Sequence, residues 1–228
     1  MPLAIVGVIL AVLVYFPSYW VRRVMQRHSA EIEELPGTGA ELARHLINRF
    51  ELDGIEVEET DAFKDHFDPA AKKVRLGPSN FHGKSLTAVA VAAHEVGHAI
   101  QFHRNEKIFE LRKRYLPIAA RLGQIGVGLL MALPLVGFAV RSPVAMGGII
   151  GLSLLLQLGG ALAYLVILPE EWDASFNKAL PVLIEGEYID SHQIPKVRKI
   201  LKAAAITYFA SALANILNIG RWFMVFRR

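Results

Sequence analysis

Ionisable residues along this chain come in blocks. Residues 3–20, 122–140, 142–169 and 203–220 contain no Asp, Glu, Lys, Arg or His, and the stretches between them are rich in charge. About 20 apolar residues in a helix cross the hydrocarbon core of a bilayer. The first three blocks therefore predict transmembrane helices at 3–21, 118–140 and 143–168. The fourth predicts a helix over 203–226 with a polar stripe, because Thr207, Ser211 and Asn215 recur every four residues. That helix either spans with its stripe against its neighbours or lies in the interface, anchored by Trp222 and Phe223. The fold class is mainly α: a polytopic helical membrane protein with three or four spans.

The segments between the apolar blocks read differently. In 22–115, Thr38 can cap a helix over about 40–50, whose apolar face is Leu42, Leu46, Ile47 and Phe50. Asp53-Gly54 is a turn, alternating residues 55–58 read as a strand, Asp65-His66-Phe67-Asp68-Pro69 as a second turn, and 73–76 as another strand. A long helix then runs from Ser85 past Gln101. The segment predicts a small cytosolic α+β insert, with 169–202 as a second cytosolic segment. Flanking cations set that orientation. Nothing basic precedes the first block, whereas Arg22, Arg23 and Arg27 follow it and Arg112, Lys113 and Arg114 precede the second. Helices two and three form a hairpin, and Lys178, Lys196, Arg198, Lys199 and Lys202 return to the same side.

Composition sharpens this picture. With 228 residues, 53% of them hydrophobic, and no cysteine, the chain has no disulfides, thiolate metal sites or cysteine nucleophile. Its mean hydropathy of +0.35 is high for a soluble domain. The net charge of +4 comes from cations clustered at the apolar flanks, so nucleic acid is not an expected partner. The uncharged spans also argue against a transporter.

The candidate chemistry lies on the Ser85–Gln101 helix. His94 and His98 stand one turn apart and can face one ion, with Glu95 between them in sequence and within reach of a metal-activated water. This H-E-x-x-H falls in a helix of small residues (Ala92, Ala93, Gly97, Ala99), which suggests packing on several sides. Catalytic zinc needs a third protein ligand. The hairpin returns the chain to this side near Leu168, where Glu170, Glu171 and Asp173 are the first acids, and His192 is a more distant alternative.

At these residues the chain resembles the YugP-type family of neutral zinc metallopeptidases of bacterial membranes. The resemblance covers Thr38–Ala43, Asp65–Pro69, Val74–Leu76, Ser85, Val91–Gln101, Leu168–Ser175 and Ile206–Tyr208. The family is similar in turn to the HtpX-type membrane gluzincins, whose third ligand is the Glu of an E-x-x-A-D motif. Glu171-Trp-Asp173-Ala174-Ser175 matches that pattern with Ser in the last place, which implies Glu171 as the ligand and Glu170 as not one. In those relatives the final Asp orients a ligand histidine; here Asp173 is a candidate substitute.

The expected activity is that of an integral-membrane zinc metallopeptidase with one catalytic Zn2+ on His94, His98 and Glu171 and Glu95 as general base. The expected substrates are membrane-associated polypeptides, and the expected location is the bacterial inner membrane with the site facing the cytoplasm. A strand near Val74–Leu76 is expected to pair an extended substrate at its edge, and His192, Arg198 and Tyr208 are candidates for oxyanion stabilisation. The alternative is a non-catalytic membrane scaffold or binding protein with a structural or vestigial zinc site, which would require a fourth protein ligand.

Overall fold

The computed structural model describes residues 2–216. Its elements in chain order are α1 (Pro2–Arg27), α2 (Gly39–Arg49), β1 (Glu56–Glu59), β2 (His66–Asp68), β3 (Lys73–Leu76), the single turn α3 (Pro78–Phe81) and α4 (Leu86–His103). There follow α5 (Phe109–Val140), α6 (Pro143–Ala163), a 3-10 turn (Tyr164–Ile167), α7 (Leu168–Trp172), a π-helical segment (Asp173–Ala179), α8 (Leu180–Glu185), α9 (Ile194–Ala205) and α10 (Thr207–Ile216). Two compact units divide these residues. One holds 2–19, 111–167 and 207–216; the other holds 20–110 and 168–206.

The first unit reverses the usual placement of polar and apolar groups. Leu135, Phe138, Val144 and Leu155 are 76%, 78%, 85% and 67% exposed, whereas Ser153 and Gln157 are buried. Two helical stretches, Phe109–Val136 and the one beginning at Pro143, are long and apolar enough to cross a membrane. Where α5 meets α6 the backbones approach closely. A Cβ on Gly126 would lie 2.7 Å from the Ser153 carbonyl oxygen, and one on Gly160 would lie 2.8 Å from that of Ala119. The Ser153 hydroxyl donates to the Gly126 carbonyl at 2.6 Å, and Gln157 Nε2 donates to Ser153 Oγ at 3.1 Å. Small residues and side-chain hydrogen bonds hold helices together in a medium where apolar burial gives no drive.

The uncharged run that begins at Ala203 is divided, because α9 ends at Ala205 and α10 begins at Thr207. In α10, Tyr208 accepts from Arg112 Nη1 at 3.0 Å and stacks on Tyr164. Residues 217–228, with Trp222 and Phe223, lie outside the described residues.

The second unit carries the α+β structure. Thr38 caps α2 as its sequence requires: Thr38 Oγ1 accepts from Glu41 N at 3.2 Å, and Glu41 Oε2 accepts from Thr38 N at 2.7 Å. The sheet order is β1-β3-β2, with β1 parallel and β2 antiparallel to β3. Two expectations change here. Residues 66–68, read as part of a turn, form a strand: Phe67 is buried while His66 and Asp68 face out, and the turn itself is displaced to the following residues, where Asp68 Oδ1 accepts from Ala70 N and Ala71 N. As a result β3 is the central strand, and Lys73, Val74 and Arg75 are paired on both sides with no free edge for a substrate. Ser85 Oγ accepts from Ala88 N at 3.1 Å and starts α4, which is buried from Leu86 through Gln101. A helix covered all round tolerates mainly small side chains, and α4 supplies them.

Candidate metal centre

α4 presents His94 and His98 one turn apart, and α7 presents Glu171 from 73 residues downstream. His94 Nε2 and His98 Nε2 are 3.3 Å apart; Glu171 Oε2 lies 3.3 Å from the first and 3.2 Å from the second. His94, His98 and Glu171 are at most 4% exposed. A tetrahedral ion at about 2.0–2.1 Å from each ligand separates its ligands by about 3.3–3.4 Å, so the triangle matches the size of one such shell.

The hydrogen bonds explain which atoms face inward. Ser175 Oγ lies 3.0 Å from His94 Nδ1 and 3.2 Å from the Leu201 carbonyl oxygen. The carbonyl can only accept, so the hydroxyl proton goes to Leu201 and the Ser175 lone pair receives Nδ1–H of His94. His98 Nδ1 has Glu170 Oε1 at 2.7 Å and Gln101 Oε1 at 2.9 Å, two acceptors that place its proton there as well. Both Nε2 atoms therefore turn lone pairs toward the Glu171 carboxylate. Three electron-pair donors crowded together without a proton to share attract a cation, and this His2Glu set suits zinc.

Gln101 is itself fixed. Its Nε2 donates to the Glu170 carbonyl oxygen at 3.0 Å and to Asp173 Oδ2 at 2.9 Å, which leaves only its oxygen for His98. Asp173 also accepts from Asn177 at 2.8 Å and pairs with Lys178, whose Nζ reaches Glu106 at 2.8 Å. Burial pushes the Asp173 carboxyl up, but its bonds from Lys178, Gln101 and Asn177 outweigh burial and hold it below the ordinary carboxylate range. Burial, the largest influence, raises the Glu95 carboxyl; His94 and His98 oppose it, and Glu171 and Asp65 add to it. Glu95 and Glu170 are likewise buried, and carboxylates removed from water need compensation from a cation or from donors.

Close approach of the two ligand-bearing elements depends on Gly97. A Cβ there would lie 2.7 Å from the Ala174 carbonyl oxygen. The stretch that follows α7 is π-helical, a form found mostly at functional sites, and it carries Ser175 to His94. The candidate substitute Asp173 does not touch either histidine; it acts on His98 only through Gln101. Glu170, set aside as a ligand, bonds His98 from the side away from Glu171. His192 is an exposed residue beside Asp190 at 3.8 Å and is not in the cluster; Arg198 is exposed on α9, and Tyr208 belongs to the first unit. Asp65 ties the chain after β3, its Oδ1 accepting from Gly77 N at 2.8 Å and Asn80 Nδ2 at 3.0 Å. The spacing of Gln101, three residues after His98, was a legible signal for its role. Glu170 stood among the candidate acids and Ser175 at the place of the relatives' orienting Asp, but no local pattern gave either its histidine partner.

A helix-borne histidine pair and a distant buried glutamate are the ligand set of one class of zinc-dependent hydrolases. Residues 3–227 match the family described as "Putative neutral zinc metallopeptidase", and the chain belongs to it. It is also similar to "Putative membrane protease YugP" of Bacillus subtilis (strain 168), 32% identical over 215 residues that cover 92% of this chain and 91% of the relative. No solved structure matches the chain.

Proposed function

We propose that this protein is an integral-membrane zinc metallopeptidase that cleaves membrane or membrane-adjacent polypeptides from the cytoplasmic side. The observation that carries the proposal is the convergence of His94 Nε2, His98 Nε2 and Glu171 Oε2 within 3.3 Å of one another, with Glu95 on the same helix. These three side chains would hold the ion. Zinc bound there would act as a Lewis acid toward the scissile carbonyl and the attacking water. Glu95 accepts the proton of the attacking water and delivers it to the departing amide nitrogen. Ser175 and the Glu170–Gln101 pair keep the imidazoles in the tautomer that turns Nε2 inward.

The apolar exterior of α5 and α6 supports their assignment as spans, with α1 as the first span and its N-terminus outside. Glu171 follows the third apolar block by two residues in the sequence, which favours substrates held at the bilayer surface. A structural zinc site would need a fourth protein ligand. Among the described residues the group that can share an ion has three members, His94, His98 and Glu171, and a structural site has no use for Glu95.

The test uses full-length protein purified in detergent. Metal content and cleavage of casein or a membrane protein are measured for wild type, Glu95→Gln and His94→Ala, with a chelator control. Glu95→Gln is expected to keep about one zinc and lose on the order of 10²–10⁴-fold in rate, and His94→Ala to lose both. Glu95→Gln cleaving at the wild-type rate would falsify the assignment of the base.

A further inference from the structure

A cleft of about 520 Å³ is lined by Arg27 and His28 from the end of α1 and by Pro195, Lys196 and Lys199 from α9. A second, of about 410 Å³, is lined by Arg23, Gln26 and Arg27 and shares the Arg27 wall. Every titratable side chain in either lining is basic. Among the described residues no carboxylate forms an ion pair with Arg23, Arg27, Lys196 or Lys199. Burial, the largest single influence, and the charges of Arg27, Lys196 and Lys199 hold the His28 imidazole below its ordinary range. The linings thus gather cations that no carboxylate among the described residues pairs, a grouping whose mutual repulsion an anion relieves.

The walls are held by packing and by hydrogen bonds. Val21 and Val24 of α1 and Val197 and Ile200 of α9 are buried. Thr87 Oγ1 donates to the Met25 carbonyl at 2.8 Å, and Thr87 N to that of His28 at 3.2 Å. Position along α1 identifies the anion. The uncharged run ends at Trp20, and Arg23 and Arg27 follow on the same helix about 4.5 and 10 Å further along its axis. Arg23 therefore falls within the headgroup layer, about 5–7 Å thick on each face, and Arg27 starts just beyond it, where its long side chain can reach back to that layer.

We propose that the cleft between the end of α1 and the start of α9 binds the phosphate headgroup of an anionic membrane lipid. The proposal rests on the reading of α1 as a membrane span and is independent of the metal chemistry.

Native mass spectrometry of the full chain in neutral detergent, offered equal phosphatidylglycerol and phosphatidylcholine, tests it. Wild type is expected to retain phosphatidylglycerol at least tenfold over phosphatidylcholine. Lys196→Gln or Lys199→Gln each lowers that preference by about fivefold, and Arg27→Gln/Lys196→Gln/Lys199→Gln together bring it within twofold. Lys72→Gln/Arg104→Gln/Lys107→Gln, with the same net charge, keeps the preference. No preference in wild type, or equal loss in both triple variants, overturns the site. Displacement of the lipid by millimolar inorganic phosphate overturns its assignment to a lipid in favour of free phosphate. Zinc content, measured in parallel, stays near one per chain in the cleft variants, so a failure of this site and a failure of the metal centre read out separately.

Discussion

Gly97→Ala is the sharpest probe of how the two halves of the metal centre meet. Added to Gly97, a methyl group would stand 2.7 Å from the Ala174 carbonyl oxygen and 3.3 Å from both the Ala174 carbonyl carbon and Cα. A carbon–oxygen contact relaxes only at about 3.3 Å, so the backbones of α4 and the π-helical segment must separate by roughly 0.6 Å. Both neighbours are backbone and no rotamer change can absorb this. The Nε2–Oε2 separations of 3.2 and 3.3 Å would open beyond the edge of a zinc shell. Metal sites tolerate displacements of about 0.5 Å, so zinc affinity should fall by about 10–100-fold, as when supporting groups are lost. Stability should change less. Overpacking costs about 1–3 kcal/mol, and replacing glycine inside a helix returns about 1 kcal/mol. The assay is competition for zinc against a chelator of known affinity, alongside thermal unfolding of the zinc-free protein. Wild-type affinity with an unchanged melting point would show that the elements do not meet as described.

Further expectations concern the supports of the histidines and the ion. Ser175→Ala removes the acceptor of His94 Nδ1 and should weaken zinc binding by about 10–100-fold while leaving the zinc-free fold intact; unaltered affinity in the chelator titration counts against this role. Adding zinc to 100 times its dissociation constant should stabilise the wild type by about 2.7 kcal/mol, and Glu171→Gln should abolish most of that gain in the same denaturation experiment. Asp173 has a lowered carboxyl pKa in the folded protein, so its contribution is complete above the unfolded value of about 3.9 and is lost as pH falls through the lower folded value. Lys178→Met should therefore move the acid limb of the stability profile to higher pH, and thermal unfolding followed from pH 3 to 6 would reveal an unmoved limb.

Much of this protein is written locally. The i,i+4 spacing of His94 and His98 puts both imidazoles on one side of any helix that forms, and the run of small residues around them lets that helix be covered all round. Thr38 and Glu41 lie three apart in sequence, so their capping box closes wherever α2 starts. Uncharged blocks of bilayer length need no partner to be recognised. Each of these features involves residues within a few turns of one another, and local periodicity encodes them.

The three-dimensional arrangement decided what no such period encodes. Glu170, Glu171 and Asp173 are adjacent acids with one local pattern. Only the docking of α7 and the π-helical segment against α4 gives Glu171 the Nε2 atoms, Glu170 the Nδ1 of His98, and Asp173 the amide of Gln101. The resemblance had already pointed to Glu171, but the work of Glu170 and Ser175 depends on contacts across 72 and 81 residues, set by the relative register of separate elements. Strand order belongs to the same category: alternation marks β3 as a strand, yet whether it is an edge depends on β1 and β2 pairing beside it. A cleft of cations drawn from α1 and α9 likewise exists only because the end of α1 and the start of α9 bury Val21, Val24, Val197 and Ile200 and leave Arg27, Lys196 and Lys199 lining one surface.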